Sequence, residues 1–263
     1  MQNKLTFTEH NITPSCAAII VAAGLGTRAV AFNNPQSKTS SAGNVPLLAK
    51  QFWQLGTKMV TAHSLDCFCA HPQFAAIILV LPDKEISRMT GLFSTTEKPV
   101  YLVSGGATRQ DSVRAGLDAL AAMPVCDKIA YVAIHDAARP LIPTGLLDRL
   151  INAVTTSTNS KIIGAAPVLP LADSIKILDK AGKNGSKPIT SSIDRSQLAA
   201  AQTPQLFNRE IISTLHKEFA TESGFTDDCS LAEAAGFKIL AIEGAKQLMK
   251  LTDADDFAML SYL

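Results

Sequence analysis

Six short apolar runs, separated by stretches with helical periodicity, constrain the fold of this chain more than any other feature. They cover residues 17–22, 75–81, 100–103, 129–134, 162–168 and 237–242. Most are rich in Ile and Val and apolar at consecutive positions rather than alternate ones. That pattern predicts strands of a parallel sheet buried on both faces. Between them, Val113, Leu117 and Leu120 share one face of residues 109–122 at helical spacing, and Leu146, Leu147, Leu150 and Ile151 do so within 144–154. Alternating strand and helix predicts an α/β fold with a doubly wound, mostly parallel sheet. Ligands of such sheets bind outside the carboxyl ends of the strands.

At 263 residues the chain can bury roughly three quarters of its unfolded surface. Hydrophobic content of 47% against 18% charged residues excludes a disordered chain. The net charge of +1 argues against a nucleic-acid partner, so anion binding has to come from local clusters. No apolar run reaches the ~20 residues of a membrane span. The apolar run after Cys16 follows Glu9 and His10 and is cut short by Gly24 and Arg28, so no export signal is expected. Cys16, Cys67, Cys69, Cys126 and Cys229 are odd in number and scattered. The Cys67–Cys69 spacing is too short for a zinc knuckle, so free thiols and a cytoplasmic location are expected.

Two segments break the rhythm. Residues 29–49 are rich in Ser, Asn, Gly and Pro and predict a long loop. Residues 173–193 predict two extended arms around Asn184-Gly185, a strong hairpin-turn signal. That arm is too thin to bury its own Ile175, Ile177, Leu178 and Ile189. It either folds back on its own domain or packs on a second subunit, and the second is the expectation.

The first run ends in Ala22-Ala23-Gly24-Leu25-Gly26-Thr27-Arg28. Gly-x-Gly after a strand loosely matches a dinucleotide fingerprint, which also wants an acidic residue about twenty positions on. None occurs between Glu9 and Asp66. Arg28 instead suits the β- and γ-phosphates of a triphosphate, which a guanidinium can grip with two parallel bonds. Without Gly-Lys-Ser/Thr, this is not an ATPase-type phosphate loop. Four more motifs lie where strands should end or helices begin: GGATRQDSV (105–113), IHDAARP (134–140), DRSQLAAAQTPQLF (194–207) and MKLTDADD (249–256). Asp136, closing a buried run, reads as a metal ligand near phosphate oxygens or as a helix cap. His135 points to the opposite face by strand alternation.

Taken in this order, AAGLGTR, KQF (50–52) and the four later motifs resemble the 2-C-methyl-D-erythritol 4-phosphate cytidylyltransferases of the non-mevalonate isoprenoid route, from about Cys16 onward. The resemblance implies a single Rossmann-like nucleotidyltransferase domain over residues 1–263, with a protruding β-hairpin arm. It implies Mg²⁺ or another divalent cation, a homodimer joined through the arm, and CMP transfer from CTP to methylerythritol phosphate. Ala22, Ala23, Gly24 and Gly26 would line the CTP site. Gly106, Ala107 and Ser112 would read cytosine, and Asp136 and Ala137 would lie by the ribose and the metal. Arg28 and Lys50 correspond to the transition-state stabilisers. Arg195, from the partner's arm, and Lys250 correspond to the residues that position the second substrate. Arg139, Ser174 and Thr203 are further candidates for that pocket.

One departure stands out. The family's lysine follows its arginine within a few residues, whereas Lys50 follows Arg28 by 22 positions. Lys38, inside the insertion, is a rival, and Gln51, Phe52, Leu55 and Gly56 favour Lys50. Lengthening a loop costs little free energy, which leaves activity compatible with the insertion. The same reaction on ribitol 5-phosphate, another sugar-phosphate nucleotidyltransferase, and a silent nucleotide-binding protein are the alternative functions. Relatives fused to a downstream cyclase exist, and an end at Leu263 predicts none in this chain.

Overall fold

The computed structural model of the chain describes residues 15–24, 49–92, 96, 98–181 and 185–260. The expected loop at 29–49, except Ala49, lies outside the described residues, as do Gly26, Arg28 and Lys38. All six predicted runs form strands of the central sheet. They are β1 (Ser15–Val21), β4 (Phe74–Leu81), β5 (Val100–Ser104), β6 (Ile129–Asp136), β7 (Ile162–Pro170) and β12 (Lys238–Glu243). A short antiparallel ribbon, β2 (Gln54–Leu55) and β3 (Lys58–Met59), lies outside that sheet. Strand β1 pairs in parallel with β4 on one side and β6 on the other, and β4 pairs in parallel with β5. The direction of winding therefore reverses beside β1, where such folds open a ligand crevice.

Helices cover both faces. Ala18, Ile20, Ile77 and Leu79 pack with Leu65 and Phe68 of α1 (Val60–Ala70) and with Leu146, Leu147, Leu150 and Ile151 of α4 (Leu146–Thr155). The α2 helix (Asp83–Met89) contributes Met89 to that layer. The alternate strand residues Ala17, Ile19, Ile78 and Val80 meet Val113, Leu117 and Leu120 of α3 (Arg109–Ala121). Ile212 and Leu215 of α5 (Arg209–Glu218) and Leu231 of α6 (Asp228–Ala234) join the same layer. Consecutive apolar residues were required because successive side chains serve opposite layers. Each fully buried Leu or Ile contributes roughly 2 kcal/mol. A third cluster joins Trp53, Leu55 and Val60 to Leu251, Phe257 and Leu260, the last two on α7 (Ala254–Leu260).

The sheet is not wholly parallel. Residues 199–208 run antiparallel as β10 (Ala199–Ala201) and β11 (Gln205–Asn208), and β11 inserts between β6 and β7. Four residues are too few to show a period, so the sequence reading missed this strand. The predicted arm is an antiparallel pair, β8 (Ile175–Leu178) and β9 (Ile189–Ile193), with Gly185 at φ +79° near its turn. Ile177, Leu178, Ile189 and Ile193 are 46%, 52%, 64% and 41% exposed, so the arm does not fold back over its own apolar side chains. All five cysteines are free, and burial pushes the Cys16 thiol up to about 12.

His135 is wholly buried on β6, edge-on to Phe68. Because the Arg139 carbonyl only accepts, Nε2 carries the ring proton and donates to it at 3.1 Å, while Nδ1 accepts from Thr203 Oγ1 at 3.1 Å. Burial pushes its pKa down to about 4. Unfolding therefore takes up a proton between about pH 6.5 and pH 4, and stability falls as pH drops through that window. Urea unfolding should show up to about 3 kcal/mol lost across it from this group. His135→Gln should flatten the dependence, and an unchanged slope would show that His135 is not its source.

Candidate active site

The parallel register brings four chain segments to one edge of the sheet. Val21 lies beside Asp136 and Val80, and Leu81 lies beside Ser104. Backbone bonds continue that alignment past the strand ends: Ala22 N–H to Val80 O at 2.8 Å, Gly105 N–H to Leu81 O at 2.8 Å, and Ala137 N–H to Val21 O at 3.1 Å. The Ala22–Gly24 turn, the Gly105–Thr108 turn and the Asp136–Arg139 loop therefore share one rim.

The glycine pair is already required by the protein's own packing. A Cβ on Gly105 would lie 2.3 Å from the Ala23 Cβ, and one on Gly106 would lie 2.2 Å from the Asp111 Cβ. The turn leads into α3 through a capping box. Thr108 Oγ1 accepts from Asp111 N–H at 3.0 Å, and Asp111 Oδ2 accepts from Thr108 N–H at 3.2 Å. Ser112 is buried, accepting from Gly106 N–H at 3.2 Å and donating to Thr108 O at 2.9 Å, so it shapes the turn. Gly106 and Ala107 remain exposed.

Lys50 opens a single 3₁₀ turn, Lys50–Phe52. The next side chain, Gln51, is buried and donates through Nε2 to Ala22 O at 2.7 Å and Gly24 O at 2.8 Å. Thr61 Oγ1 donates to Gln51 O at 2.6 Å, anchoring the turn to α1. Gln51 thus ties the Lys50 turn to the first glycine turn, across the long insertion. Asp256 lies near Lys50 as well. Burial alone would raise its carboxyl, but bonds from Thr252 and Asp253 and the nearby Lys50 charge hold it below the usual carboxylate range.

Asp136 is the electrostatic centre of the rim. Arg109 Nε donates to its Oδ1 at 3.0 Å and Lys250 Nζ to its Oδ2 at 2.7 Å. Burial would raise this carboxyl, but the two cations outweigh it and hold it well below the usual range. Its backbone N–H donates to Thr203 Oγ1 at 3.0 Å, so Thr203 is committed to the strand end and to His135. Lys250 is delivered by a segment stitched to the same loop. Leu251 N–H donates to Ala138 O at 2.8 Å, Arg139 Nη1 to Leu248 O at 2.7 Å, and Gln202 Nε2 to Ala245 O at 2.9 Å. Arg139 is thereby turned toward this support, and burial lowers its pKa from the usual value.

Ser174 and Arg195 do not join the rim. Both are exposed at the root of the arm, and the Arg195 guanidinium donates to Ala172 O. Among the described residues no group of three or more His, Cys, Asp or Glu could hold a metal, so Asp136 is not part of a ready-made ligand cluster. A single carboxylate does suit Mg²⁺ where substrate phosphates supply further oxygens. Sequence reasoning passed over Arg109, although GGATRQDSV contains it, and Asp228, to which Arg109 Nη1 donates at 2.8 Å. Their signal was an Arg and a paired Asp-Asp at two helix starts, indistinguishable in sequence from ordinary caps.

Comparison with known proteins matches this frame. The family model IspD, 2-C-methyl-D-erythritol 4-phosphate cytidylyltransferase, matches residues 16–263. A 2-C-methyl-D-erythritol 4-phosphate cytidylyltransferase of Cereibacter sphaeroides is 38% identical over 242 residues, covering 92% of this chain and 93% of that protein. A bifunctional enzyme IspD/IspF of Nitrobacter winogradskyi is 38% identical over 243 residues, covering 92% of this chain and 54% of that protein. The chain thus spans about half the length of such bifunctional relatives. In fold, a crystal structure of the Francisella tularensis 2-C-methyl-D-erythritol 4-phosphate cytidylyltransferase superposes with a TM-score of 0.71, at 22% identity, over 94% of this chain and 99% of that one. The chain belongs to the 2-C-methyl-D-erythritol 4-phosphate cytidylyltransferase family.

Proposed function

We propose that this protein transfers CMP from CTP to 2-C-methyl-D-erythritol 4-phosphate, giving 4-diphosphocytidyl-2-C-methyl-D-erythritol and pyrophosphate. The observation that carries this reading is the Asp136–Lys250 pair, set beside two glycine turns at the carboxyl ends of parallel strands, in a chain of this family. A phosphate oxygen of the acceptor attacks the α-phosphorus of CTP, the bond to the β-phosphate oxygen breaks, and pyrophosphate leaves. The acceptor phosphate is already ionised at neutral pH, so no general base is needed. His135 supplies none, being buried and bonded to Arg139 and Thr203.

The demand is to bring two anions together, which cations and fixed dipoles meet. Lys50 and Arg28 serve the triphosphate, and Lys250 and Arg195 the acceptor. The Ala22–Gly24 turn, with Gly26 beyond it in sequence, and the Gly106–Thr108 turn with Ser112 at the start of α3 hold the nucleotide. Asp136 would hold Mg²⁺, which supplies Lewis-acid neutralisation of phosphate charge. Lys250, whose ammonium donates to Oδ2 of Asp136, stands at the same rim to serve the acceptor phosphate.

Pyrophosphate release with CTP and Mg²⁺, run against methylerythritol phosphate and ribitol 5-phosphate, tests the reading. Release with the first acceptor supports it. Release with ribitol 5-phosphate alone, or CTP binding without release, contradicts it. Lys50→Ala should lower kcat by ~10²–10³ with a far smaller rise in KM for CTP. A near-normal kcat would remove Lys50 from the machinery.

The exposed apolar arm supports a homodimer in which Arg195 serves the neighbouring subunit. Arg195→Ala and Lys250→Ala, each inactive alone, should regain about one quarter of wild-type activity when mixed and re-equilibrated, because half of the dimers then hold one intact site. No recovery, in protein shown to exchange subunits, would place Arg195 in its own subunit's site.

A further inference from the structure

Behind Asp136 lies a buried ionic chain that the transfer chemistry does not itself use. Arg109 donates from Nε to Asp136 Oδ1 at 3.0 Å and from Nη1 to Asp228 Oδ2 at 2.8 Å. The second oxygen of Asp228, Oδ1, lies 2.9 Å from His216 Nε2. The side chains of Asp228 and His216 are only 2% and 1% exposed. An ionised carboxylate moved that far from water costs several kcal/mol before pairing, and an apolar residue of similar volume would pack without that cost. Stability alone is therefore a poor reason for Asp228. What the arrangement does provide is a guanidinium fixed at both ends. Its backbone is the first residue of a capped helix, and its tip is gripped by a carboxylate at the start of another.

The two cations on Asp136 differ in a way that matters. Arg109 approaches from inside the fold, between α3 and α6, with its side chain 27% exposed, whereas Lys250 is 41% exposed and carries a single ammonium on a flexible stem. One oxygen of Asp136 is thus held by a fixed partner and the other by an exchangeable one. A lysine in place of Arg109 could not serve both carboxylates, because only the planar fork presents donors along separate edges.

We propose that Arg109 and Asp228 are positioning residues: Asp228 fixes the Arg109 guanidinium, and Arg109 holds Oδ1 of Asp136 so that Oδ2 faces the rim, ready to exchange Lys250 for a divalent cation brought with CTP. The inference rests on the transferase reading for its substrate. Partners behind a metal-ligating group fix its orientation, and losing one typically costs ~10–10² in metal affinity or rate.

The test uses the full chain with Asp228→Asn, which keeps the shape and removes the fixing charge, and with Arg109→Lys, which keeps the charge and removes the fork. Calorimetric titration of CTP at stepped Mg²⁺ concentrations reads metal-dependent binding without turnover, and pyrophosphate release gives kcat and KM. Both variants should need ~10-fold more Mg²⁺ for half-maximal CTP binding and lose ~10–10² in kcat, with KM for the acceptor within about threefold of wild type. Thermal melts identify variants that fold. Should Asp228→Asn fail to fold, Arg109→Lys decides, since it keeps a positive charge at this position. A folded variant with wild-type metal dependence and kcat, whatever its melting temperature, would reduce the chain to a stability element and overturn the proposal. If the wild type releases no pyrophosphate, the transferase reading fails, and the Mg²⁺ dependence of CTP binding alone decides the role of Arg109 and Asp228.

Discussion

The architecture of the rim depends on one carboxylate, Asp136, kept ionised at the end of a buried strand. Burial works against its charge, and Arg109 and Lys250 more than offset that penalty. Around it the fold assembles in layers. Thr203 captures its backbone N–H, β11 flanks its strand, and the Leu248–Leu251 segment is stitched to the loop that follows it. Removing the charge would leave Lys250 and the Arg109 Nε without their common partner, while Arg109 keeps its bond to the buried Asp228 one step behind. Breaking such a pair is more damaging than never having built it.

The sheet's two-sided burial is what makes the rim possible. Parallel strands start and end in step, so β1, β4, β5 and β6 release their following turns along one edge. Helices α1 and α4 on one face and α3, α5 and α6 on the other leave that edge as the place where side chains can meet a ligand. Gln51 and the Lys50 turn are brought there by hydrogen bonds to carbonyls of the first glycine turn, and α7 brings Asp256 close by. This explains how a long insertion can separate Arg28 from Lys50 in sequence without separating the Lys50 turn from the Ala22–Gly24 turn.

Much of this was legible in the sequence because it rests on periodicity. Consecutive Ile and Val marked strands covered on both faces, and alternation alone placed His135 away from Asp136. The two-residue turn signal marked the arm. Other features left no such trace. The β11 strand is too short for a period, and its place between β6 and β7 is set by long-range pairing. The resemblance marks Gly106 only as a cytosine contact, while the structure adds that Gly105 and Gly106 make room for Ala23 and Asp111. Thr203 read as a substrate contact, and its hydroxyl is engaged by Asp136 and His135. Asp228 carries no distinctive signal in the sequence, and only the three-dimensional meeting of α3 with α6 reveals its bond to Arg109.

The central claim is that Asp136 holds two unlike partners, one fixed and one exchangeable. A crystal structure of the protein with CTP and Mg²⁺ tests it most directly. The account predicts Mg²⁺ on Oδ2 of Asp136 and on triphosphate oxygens, Lys250 displaced from that oxygen, and Arg109 still on Oδ1 with Asp228 behind it. A metal bound elsewhere, or Lys250 retained on Asp136 while Arg109 swings away, would contradict it.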